Sequence, residues 1–515
     1  MTICDLRTDA VLRVEFADGS DGKVGLRELL LRAHEITDLA LTMPPAFAGA
    51  LRVLYVIAAR VTGLDKIVDA GGDPGDEWQQ RRNEALRRGR FVGAEVDKYL
   101  ETHSSRWNLF CARWPWWQDP RLGEQAELKS SNTFDIRRPD DNKPIWWRHT
   151  HKGHAPDLSV TDALELLLIH HYYGSGGTGG TRTVGQTRSQ HMSAGPLRST
   201  VTFYPLGANL FETLIAGIPS PAFGADLTGE DLAPWETTDL HDPLGVPPEP
   251  TWPARLLVGQ SRHALLLTPD PTGEAVVGCH LTWGWKHKHP PLRDPYSIEE
   301  RNSQGEWKPR RASADRALWR EVDALLADRE TTQRPAVLSS ALSLPDDMLD
   351  RLRIRAVGFD QDRKATNNAW STSVTPPIIR YLDEFDPARA NGAEALTTAA
   401  KEVATAMINE LRKAYRALGN GSSAKSDKEA PWVQPAQRWF WPRAEDLFWR
   451  SLAEADFAEP HRAFQRIALG AITEATRPVA DSPAVAREVT KAKRALTKFV
   501  ASKNPRPRKE KPGGN

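Results

Sequence analysis

The sequence has few of the features that mark secreted or metal-binding proteins. Its 515 residues include only three cysteines, Cys4, Cys111 and Cys279. Their wide spacing excludes a Cys-x-x-Cys metal knuckle, and their odd number gives no disulfide framework. Charged residues interrupt the first apolar stretch, so we expect no secretory signal. Sparse cysteine is typical of the reducing cytoplasm, and we predict a cytoplasmic protein.

An excess of charge of one sign is also missing, as is a long apolar run. Lysine and arginine total 68 against 67 aspartate and glutamate, so the net charge of +1 indicates no class of partner. The most hydrophobic stretch, Ala50–Val61, contains Arg52 and Arg60 and is too short to span a bilayer. We expect it to form a buried helix in a protein that does not contact membranes.

The common catalytic motifs are absent as well. The sequence contains no Gly-x-Ser-x-Gly elbow, no P-loop, no His-Glu-x-x-His and no paired-carboxylate motif. Histidines cluster at three places, but their setting favours surface or packing roles over convergent metal ligation. The clusters are His149, His151 and His154; His170 and His171; and His287 and His289. We therefore predict no metal site and no cofactor.

Tryptophan, in contrast, is abundant. The chain has 18 tryptophans, several of them adjacent, which indicates large flat packing or stacking surfaces. The overall composition, 40% apolar and 26% charged, is that of a globular protein, and the length predicts two or more domains.

The first three quarters of the chain mix helical and strand patterns. A β-hairpin is predicted within the first 25 residues, and a helix over Ser159–Tyr173 is predicted to be capped by Ser159. Pro219–Thr251 is rich in proline and acid and predicts a long loop. Other expected helices are Gly25–Ile36, Ala46–Val61 and Arg316–Leu326, and other expected strands are Ala254–Gly259, His263–Pro269, Ala275–Trp285 and Leu352–Asp360.

The last quarter is predicted to be helical. Apolar residues recur at spacings of three and four, and short connections separate the segments, which favours a four-helix bundle. The expected helices are Ala393–Leu418, Arg443–Phe457, Glu459–Thr476 and Pro483–Val500. The predicted fold class is α+β, with a mixed α/β domain over 1–376, the bundle over 377–502 and a disordered basic tail over 503–515.

A glycine-rich stretch follows the Ser159–Tyr173 helix. Gly174, Gly176 and Gly179 have the Gly-x-Gly-x-x-Gly spacing of dinucleotide-binding proteins. That fingerprint needs a strand before it and a helix after it, whereas here a helix precedes it and no helical pattern follows. We expect instead a bare backbone loop, edged by Arg182 and Arg188, that approaches another molecule closely. The alternative is a nucleotide-cofactor enzyme that uses residues 174–180.

Three further segments are typical of nucleic-acid contacts, although each is also compatible with a solvated surface. Lysines lie beside tryptophans in "WGWKHKHPP", amide and cationic side chains follow a strand in "GFDQDRKATNN", and a basic stripe runs along the last predicted helix. The residues concerned are Lys286 and Lys288; Gln361, Arg363, Lys364 and Asn367; and Arg487, Lys491, Arg494 and Lys498.

Taken in order, the segments resemble one family. "VGLRELLLRAHEITDLA", "FCARWPWWQDPRL", the helix with its glycine stretch, "LGANLFETLIAGIP" and "DPYSIEERNSQGEWKPRRASADRALWREVDALL" are similar to CasA, the large subunit of the type I-E CRISPR complex Cascade. The order and number of matches carry the resemblance. The chain departs from the family at the start, where "CDLRTDAVLRVEF" stands in place of a Pro-Trp-Ile-Pro-Val segment.

The resemblance implies a binding role without chemistry. Such subunits lie at the 5′ end of a guide RNA, recognise the short PAM motif of double-stranded DNA through its minor groove and promote duplex opening and R-loop formation. They also support recruitment of a helicase–nuclease. The implied partners are the guide RNA, the target duplex, the other Cascade subunits and that nuclease. A purely structural scaffold subunit is the remaining alternative.

The resemblance also assigns roles to residues. It implies that the glycine stretch contacts the PAM through Gly174, Gly176, Gly177 and Gly179, together with a lysine that is either Lys286 or Lys288. It places a DNA wedge at Gln361, Asp362, Arg363 and Lys364, and a guide-handle loop at Asn132, Phe134 and Arg137. For the basic stripe Arg487, Lys491, Arg494 and Lys498, we expect contacts with the DNA backbone.

Overall fold

The computed structural model describes residues 4–66, 74–138, 155–221, 227, 229–361, 367–419 and 430–503. These residues form two compact units. Unit 1 comprises the described residues of Met1–Ala317 and Arg329–Arg380, and unit 2 those of Leu318–Asp328 and Tyr381–Asn515. All fifteen strands in the described residues belong to unit 1.

The described residues form sixteen α-helices. They are α1 Leu26–Leu31, α2 Pro44–Thr62, α3 Pro74–Arg88, α4 Gly93–Thr102, α5 Leu122–Gln125, α6 Ser131–Phe134, α7 Val160–Tyr173, α8 Leu210–Gly217, α9 Ala254–Leu257, α10 Val322–Leu326, α11 Ala336–Ala341, α12 Asp346–Leu349, α13 Pro387–Ala417, α14 Val433–Glu454, α15 Pro460–Thr476 and α16 Pro483–Lys503.

The strands form several small antiparallel sheets. They are β1 Leu12–Phe16, β2 Asp21–Val24, β3 Ile36–Leu39, β4 Lys129–Ser130, β5 Leu158–Ser159, β6 Gly177–Val184, β7 Thr187–Met192, β8 Val201–Leu206, β9 His263–Pro269, β10 Ala275–Trp283, β11 Glu299–Arg301, β12 Trp307–Pro309, β13 Thr332–Gln333, β14 Arg353–Gln361 and β15 Asn367–Val374. The sheet orders are β2-β1-β3, β4-β10-β5 with β9 on β10, β12-β11-β13, β15-β14-β8 and β6-β7.

The core of unit 1 is built around α2 and α7. The buried helix predicted at Ala46–Val61 is confirmed as α2, and the helix predicted at Ser159–Tyr173 as α7, whose N-cap Ser159 accepts a hydrogen bond from the Asp162 backbone N–H. Within α2 the guanidinium of Arg52 is buried and lies 2.7 Å from the Asp294 carboxylate. Among the described residues α2 alone is long and apolar enough to cross a membrane, and 89% of its apolar window is buried inside the protein.

Long-range contacts explain where unit 1 differs from the prediction. Ala254–Gly259 was expected to be a strand, but α9 begins there, because the Asp231 carboxylate accepts hydrogen bonds from the backbone N–H groups of Ala254 and Arg255. A short apolar run fits helix and strand equally, so the sequence alone does not separate the two. The helix expected over Gly25–Ile36 ends at Leu31, and Ile36 begins β3 instead.

In unit 2, four long helices pack together. α13 contacts α14, α15 and α16, while α15 also contacts α14 and α16. α14 begins at Val433, ten residues before the predicted start, and contains Pro442 inside the helix. Its buried face continues across that proline, from Val433 and Ala436 through Phe440 to Ala444 and Phe448, so packing outweighs the lost hydrogen bond. α16 extends to Lys503, and residues 504–515 lie outside the described part of the chain.

Candidate nucleic-acid interface

The glycine-rich stretch leads into a β-hairpin. β6 begins at Gly177 and pairs with β7 across a two-residue turn, Gly185 and Gln186, so the expectation of a bare loop is wrong from Gly177 onward. A glycine-containing two-residue turn between β-branched residues is a hairpin signal that the sequence does carry, in "TVGQT". With a helix before the glycines and a strand pair after them, the dinucleotide-binding context is missing, which removes the support for the nucleotide-cofactor alternative.

The four predicted glycine contacts differ in their surroundings. A Cβ at Gly174 would lie 2.6 Å from the carbonyl oxygen of His170, and one at Gly176 would lie 2.9 Å from the backbone nitrogen of Ala194. A Cβ at Gly179 would collide with the Met192 side chain. These three glycines permit close internal packing. Gly177 alone of the four has a positive φ, +106°, and open space where a side chain would project.

Arg182 is not a cation at the edge of the glycine stretch. Its side chain is fully buried and lies 2.6 Å from the carboxylate of Asp119, with further hydrogen bonds to Gln125 and the carbonyl oxygen of Trp283. Burial opposes ionisation of Asp119, but hydrogen bonds and charges from Arg121 and Arg182 hold the pKa of that carboxyl below its ordinary value. Arg182 therefore fastens the hairpin to the core. Arg188, on β7, is exposed as expected.

Lys286 belongs to the same surface as the hairpin. Its Nζ donates a hydrogen bond to Ser189 Oγ of β7 at 3.0 Å and lies 5.7 Å from the centre of the Trp283 ring. The Trp283 indole N–H in turn donates to the carbonyl oxygen of Ser189 at 3.0 Å. Lys288 is exposed two residues later. The structure thus places Lys286 against the hairpin, and which of the two lysines contacts DNA stays a prediction.

We expect Lys286→Ala to weaken binding of the assembled complex to target duplex more than Lys288→Ala does. Removal of one phosphate contact should reduce the slope of log affinity against log salt by about 0.9. A salt titration of duplex binding measures both effects. A larger change for Lys288→Ala would transfer the lysine role to that residue.

Gln361 is buried and cannot contact a base edge in this structure. Its amide nitrogen donates to the carbonyl oxygen of Tyr173 at 3.2 Å and to Asn367 Oδ1 at 2.8 Å, while its side-chain oxygen accepts from the backbone N–H of Ser199 at 3.3 Å. The predicted role as a wedge donor is corrected: Gln361 anchors the end of β14 to Tyr173, the residue before Gly174. The other predicted wedge residues, Asp362, Arg363 and Lys364, lie outside the described residues.

The predicted guide-handle segment is also packed inward. Phe134 is fully buried and stacks on His170 of α7, with ring centres 4.9 Å apart. Asn132 is buried, and its side-chain oxygen accepts from Arg138 at 3.1 Å. The expectation that Phe134 inserts toward an RNA is therefore wrong in this structure. Arg137 is one-third exposed and pairs with Asp135 at 2.8 Å.

The basic stripe of α16 lies on the solvent side of that helix. Arg487, Lys491, Arg494 and Lys498 are all exposed, whereas Val489, Ala492, Leu496 and Val500 are buried. Lys491 Nζ contacts the Glu488 carboxylate at 2.7 Å. The predicted separation of a basic and an apolar face is therefore confirmed.

Comparison with known proteins places the chain among the CRISPR-associated proteins. The family model for CRISPR-associated protein Cse1 matches residues 5–480. The chain belongs to this family, whose members are also called CasA. A curated relative, CRISPR-associated protein CasA/Cse1 of Thermus thermophilus, is 25% identical over 462 residues, which cover 84% of each chain.

Solved structures agree with this assignment. A chain of a CRISPR RNA-guided surveillance complex is 34% identical, with a TM-score of 0.86 over 96% of this chain and 100% of that one. Thermus thermophilus CasA (Cse1) has the same fold, with a TM-score of 0.76 at 19% identity over 98% and 100% of the two chains. Cse1 from Acidimicrobium ferrooxidans matches with a TM-score of 0.73 at 22% identity over 98% of each chain.

Proposed function

We propose that the chain is the large subunit of a type I-E RNA-guided surveillance complex and recognises the PAM of double-stranded DNA. The observation that carries the proposal is the β6–β7 hairpin and the groups that it presents. Gly177, with open space at its Cβ position, begins β6, Arg188 is exposed on β7, and the ammonium of Lys286, which follows β10, contacts Ser189 of β7. Similarity to a chain of a CRISPR RNA-guided surveillance complex supports the assembly with guide RNA and other Cascade subunits.

The minor groove suits these groups. Its floor presents a degenerate pattern of acceptors, so few contacts are needed and discrimination is lenient. A glycine backbone without a Cβ reaches the groove floor, and a lysine adds attraction to phosphates or acceptors. Specificity for the rest of the target then comes from RNA–DNA pairing, by analogy with other RNA-guided systems.

We assign duplex opening to the residues that connect β14 to β15, between Gln361 and Asn367. The strands pair from Arg355 with Val374 to Gln361 with Asn367, the last pair before the connection, and Gln361 is held there by its hydrogen bond to Tyr173, beside the glycine stretch. We propose that Arg363 and Lys364, which lie outside the described residues, separate the strands of the duplex, at a cost of a few kcal/mol that contacts to the separated strands offset. In the guide-handle segment, we propose that Arg137 contacts the RNA, because its side chain is partly exposed whereas Phe134 is buried in the core.

Unit 2 is proposed to hold DNA backbone through α16. Charge reversal at Arg487, Lys491 and Arg494 should weaken target-duplex binding and flatten its salt dependence. The matched control reverses three exposed cations on other helices of unit 2, Lys413, Arg416 and Arg450. Equal affinity for both triple variants and the unaltered complex would favour the scaffold alternative.

None of these steps requires chemistry by this chain. It binds and opens DNA in the cytoplasm, and the helicase–nuclease that joins afterwards supplies the cutting. Permanganate oxidation of unpaired thymines tests the opening step in complexes assembled with and without the chain. Reactive thymines next to the PAM should appear only with the chain present, and equal reactivity in its absence would refute the proposed role.

A further inference from the structure

Unit 1 contains an aromatic cavity beside the hairpin surface. Its volume is about 380 Å³, within the range of about 300–1,000 Å³ that is usual for small-ligand sites. Four tryptophans line it, Trp114, Trp117, Trp235 and Trp285. The exposed residues Asp239, His241 and Pro248 also line it and mark its opening to solvent.

One wall of the cavity is held in a strained backbone conformation. Trp117 has a φ of +50°, which a bulky residue rarely adopts, and its ring stacks on the His171 imidazole with centres 4.0 Å apart and planes 12° apart. The next residue, Gln118, is fixed by hydrogen bonds to Leu109 and Leu267. Such strain persists where the surroundings over-determine it, and it concentrates at binding sites. The flat wall is therefore formed before any ligand arrives.

Four charged residues line the cavity: Asp119 and Arg255 have ion-pair partners, the Arg106 guanidinium lies over the Trp114 ring, 3.9 Å from its centre, and Asp239 is exposed at the mouth. Arg255 lies 3.4 Å from the carboxylate of Glu230. The carboxyl of Asp119 is paired with Arg121 and Arg182. Aromatic walls, with one guanidinium already stacked on Trp114, suit a planar ring that stacks on them.

Two of the lining imidazoles are uncharged at neutral pH. Burial lowers the pKa of His171 to about 3 and that of His263 to about 4. At the mouth, the His241 ring stacks on Trp285 with centres 4.2 Å apart. The interior of the cavity therefore offers stacking faces and uncharged imidazoles.

The cavity adjoins the cations of the candidate DNA surface. Trp285 immediately precedes Lys286, and consecutive Cα atoms are about 3.8 Å apart. The backbone N–H of Lys286 donates to the carbonyl oxygen of Pro243 at 2.8 Å, while its ammonium contacts Ser189 of the hairpin. A phosphate held at Lys286 would leave its own base close to the Trp285 wall.

We propose that this cavity takes one unpaired nucleobase of a DNA strand whose backbone lies along Lys286 and Lys288. The inference rests on the proposed function to the extent that this surface contacts DNA. Extruding a base from a duplex costs a few kcal/mol of unpairing and unstacking energy. This cost is smallest for a base that has already lost its pairing partner. Opening of the duplex beside the β6–β7 hairpin would supply such an unpaired base.

The test compares two fluorescently labelled single strands bound to the full-length chain at low salt. One is a hexamer of abasic deoxyribose phosphates, and the other is identical except for one central adenine. Stacking of one base contributes about 1–3 kcal/mol, which corresponds to a gain of about fivefold to 150-fold in affinity. Fluorescence anisotropy should show that gain. Because neither strand contains a PAM duplex, the result does not depend on PAM recognition.

Single substitutions show whether the gain in affinity from the adenine comes from the cavity. Trp285→Ala should equalise the two strands, whereas Trp307→Ala, at an exposed tryptophan of β12, should preserve the gain. Lys286→Ala should weaken both strands alike, because it removes a phosphate contact. No gain from the base, or a gain that survives in Trp285→Ala, would overturn the proposal. Binding of N-acetyl-tryptophanamide without any gain from the base would likewise overturn it, in favour of a docking pocket for a protein side chain.

Discussion

Gly177→Asp is expected to abolish PAM-dependent binding of the assembled complex while leaving its assembly intact. At φ +106°, the new side chain would project into open space, where the proposed groove floor lies, and its carboxylate would meet the most negative part of the duplex. Without PAM recognition, affinity for a target duplex should fall about tenfold or more, to the level of a duplex without a PAM. Titration of both duplexes with complexes of wild type and variant measures the ratio.

Gly19 provides the matched control for backbone strain. It has a φ of +81° in the turn between β1 and β2, and a Cβ there would also meet open space. Gly19→Asp therefore introduces the same charge and a similar backbone penalty away from the proposed groove. Unchanged PAM discrimination in Gly177→Asp, or equal loss in Gly19→Asp, would show that Gly177 does not contact the PAM.

Arg182→Ala and Arg188→Ala, two substitutions in one hairpin, should have opposite consequences. Removing Arg182 leaves the carboxylate of Asp119 buried with one cationic partner fewer, and should lower the free energy of unfolding by about 3 kcal/mol or more. Removing exposed Arg188 should change stability by less than about 0.5 kcal/mol and should weaken duplex binding instead. Denaturant unfolding and duplex titration separate the two effects.

Arg182→Lys refines this comparison. It keeps the positive charge but loses the planar group that reaches Asp119, Gln125 and the Trp283 carbonyl together. Its stability should fall between those of wild type and Arg182→Ala. Identical unfolding midpoints for Arg182→Ala and Arg188→Ala would show that the buried pair does not stabilise the hairpin.

Local patterns predicted many of the elements. Ser159 with Asp162 three residues later predicts the start of α7, and alternation of residue types predicts the hairpin of β1 and β2. The periodic apolar face of α13 and the basic face of α16 follow from spacing alone. Each of these patterns involves residues that are only a few positions apart, so it can be recognised in a single sequence.

The incorrect predictions concern side chains whose packing partners are distant in the sequence. The buried side chain of Arg182 pairs with Asp119, which lies 63 positions away in the sequence. The buried side chain of Gln361 bonds to Tyr173, which lies 188 positions away. Phe134 stacks on His170, which no spacing rule connects to it. A polar or aromatic residue in a loop-like segment is equally compatible with a ligand contact and a buried anchor. Only the tertiary structure, which supplies the partner, distinguishes the two.

We propose that this chain supplies PAM recognition to an RNA-guided complex. The decisive experiment is selection from a library of target duplexes that are randomised at the bases beside the target. Complexes with the wild-type chain should enrich a restricted set of flanking sequences, and complexes without the chain or with Gly177→Asp should enrich none. Enrichment of the same set without the chain would contradict the claim.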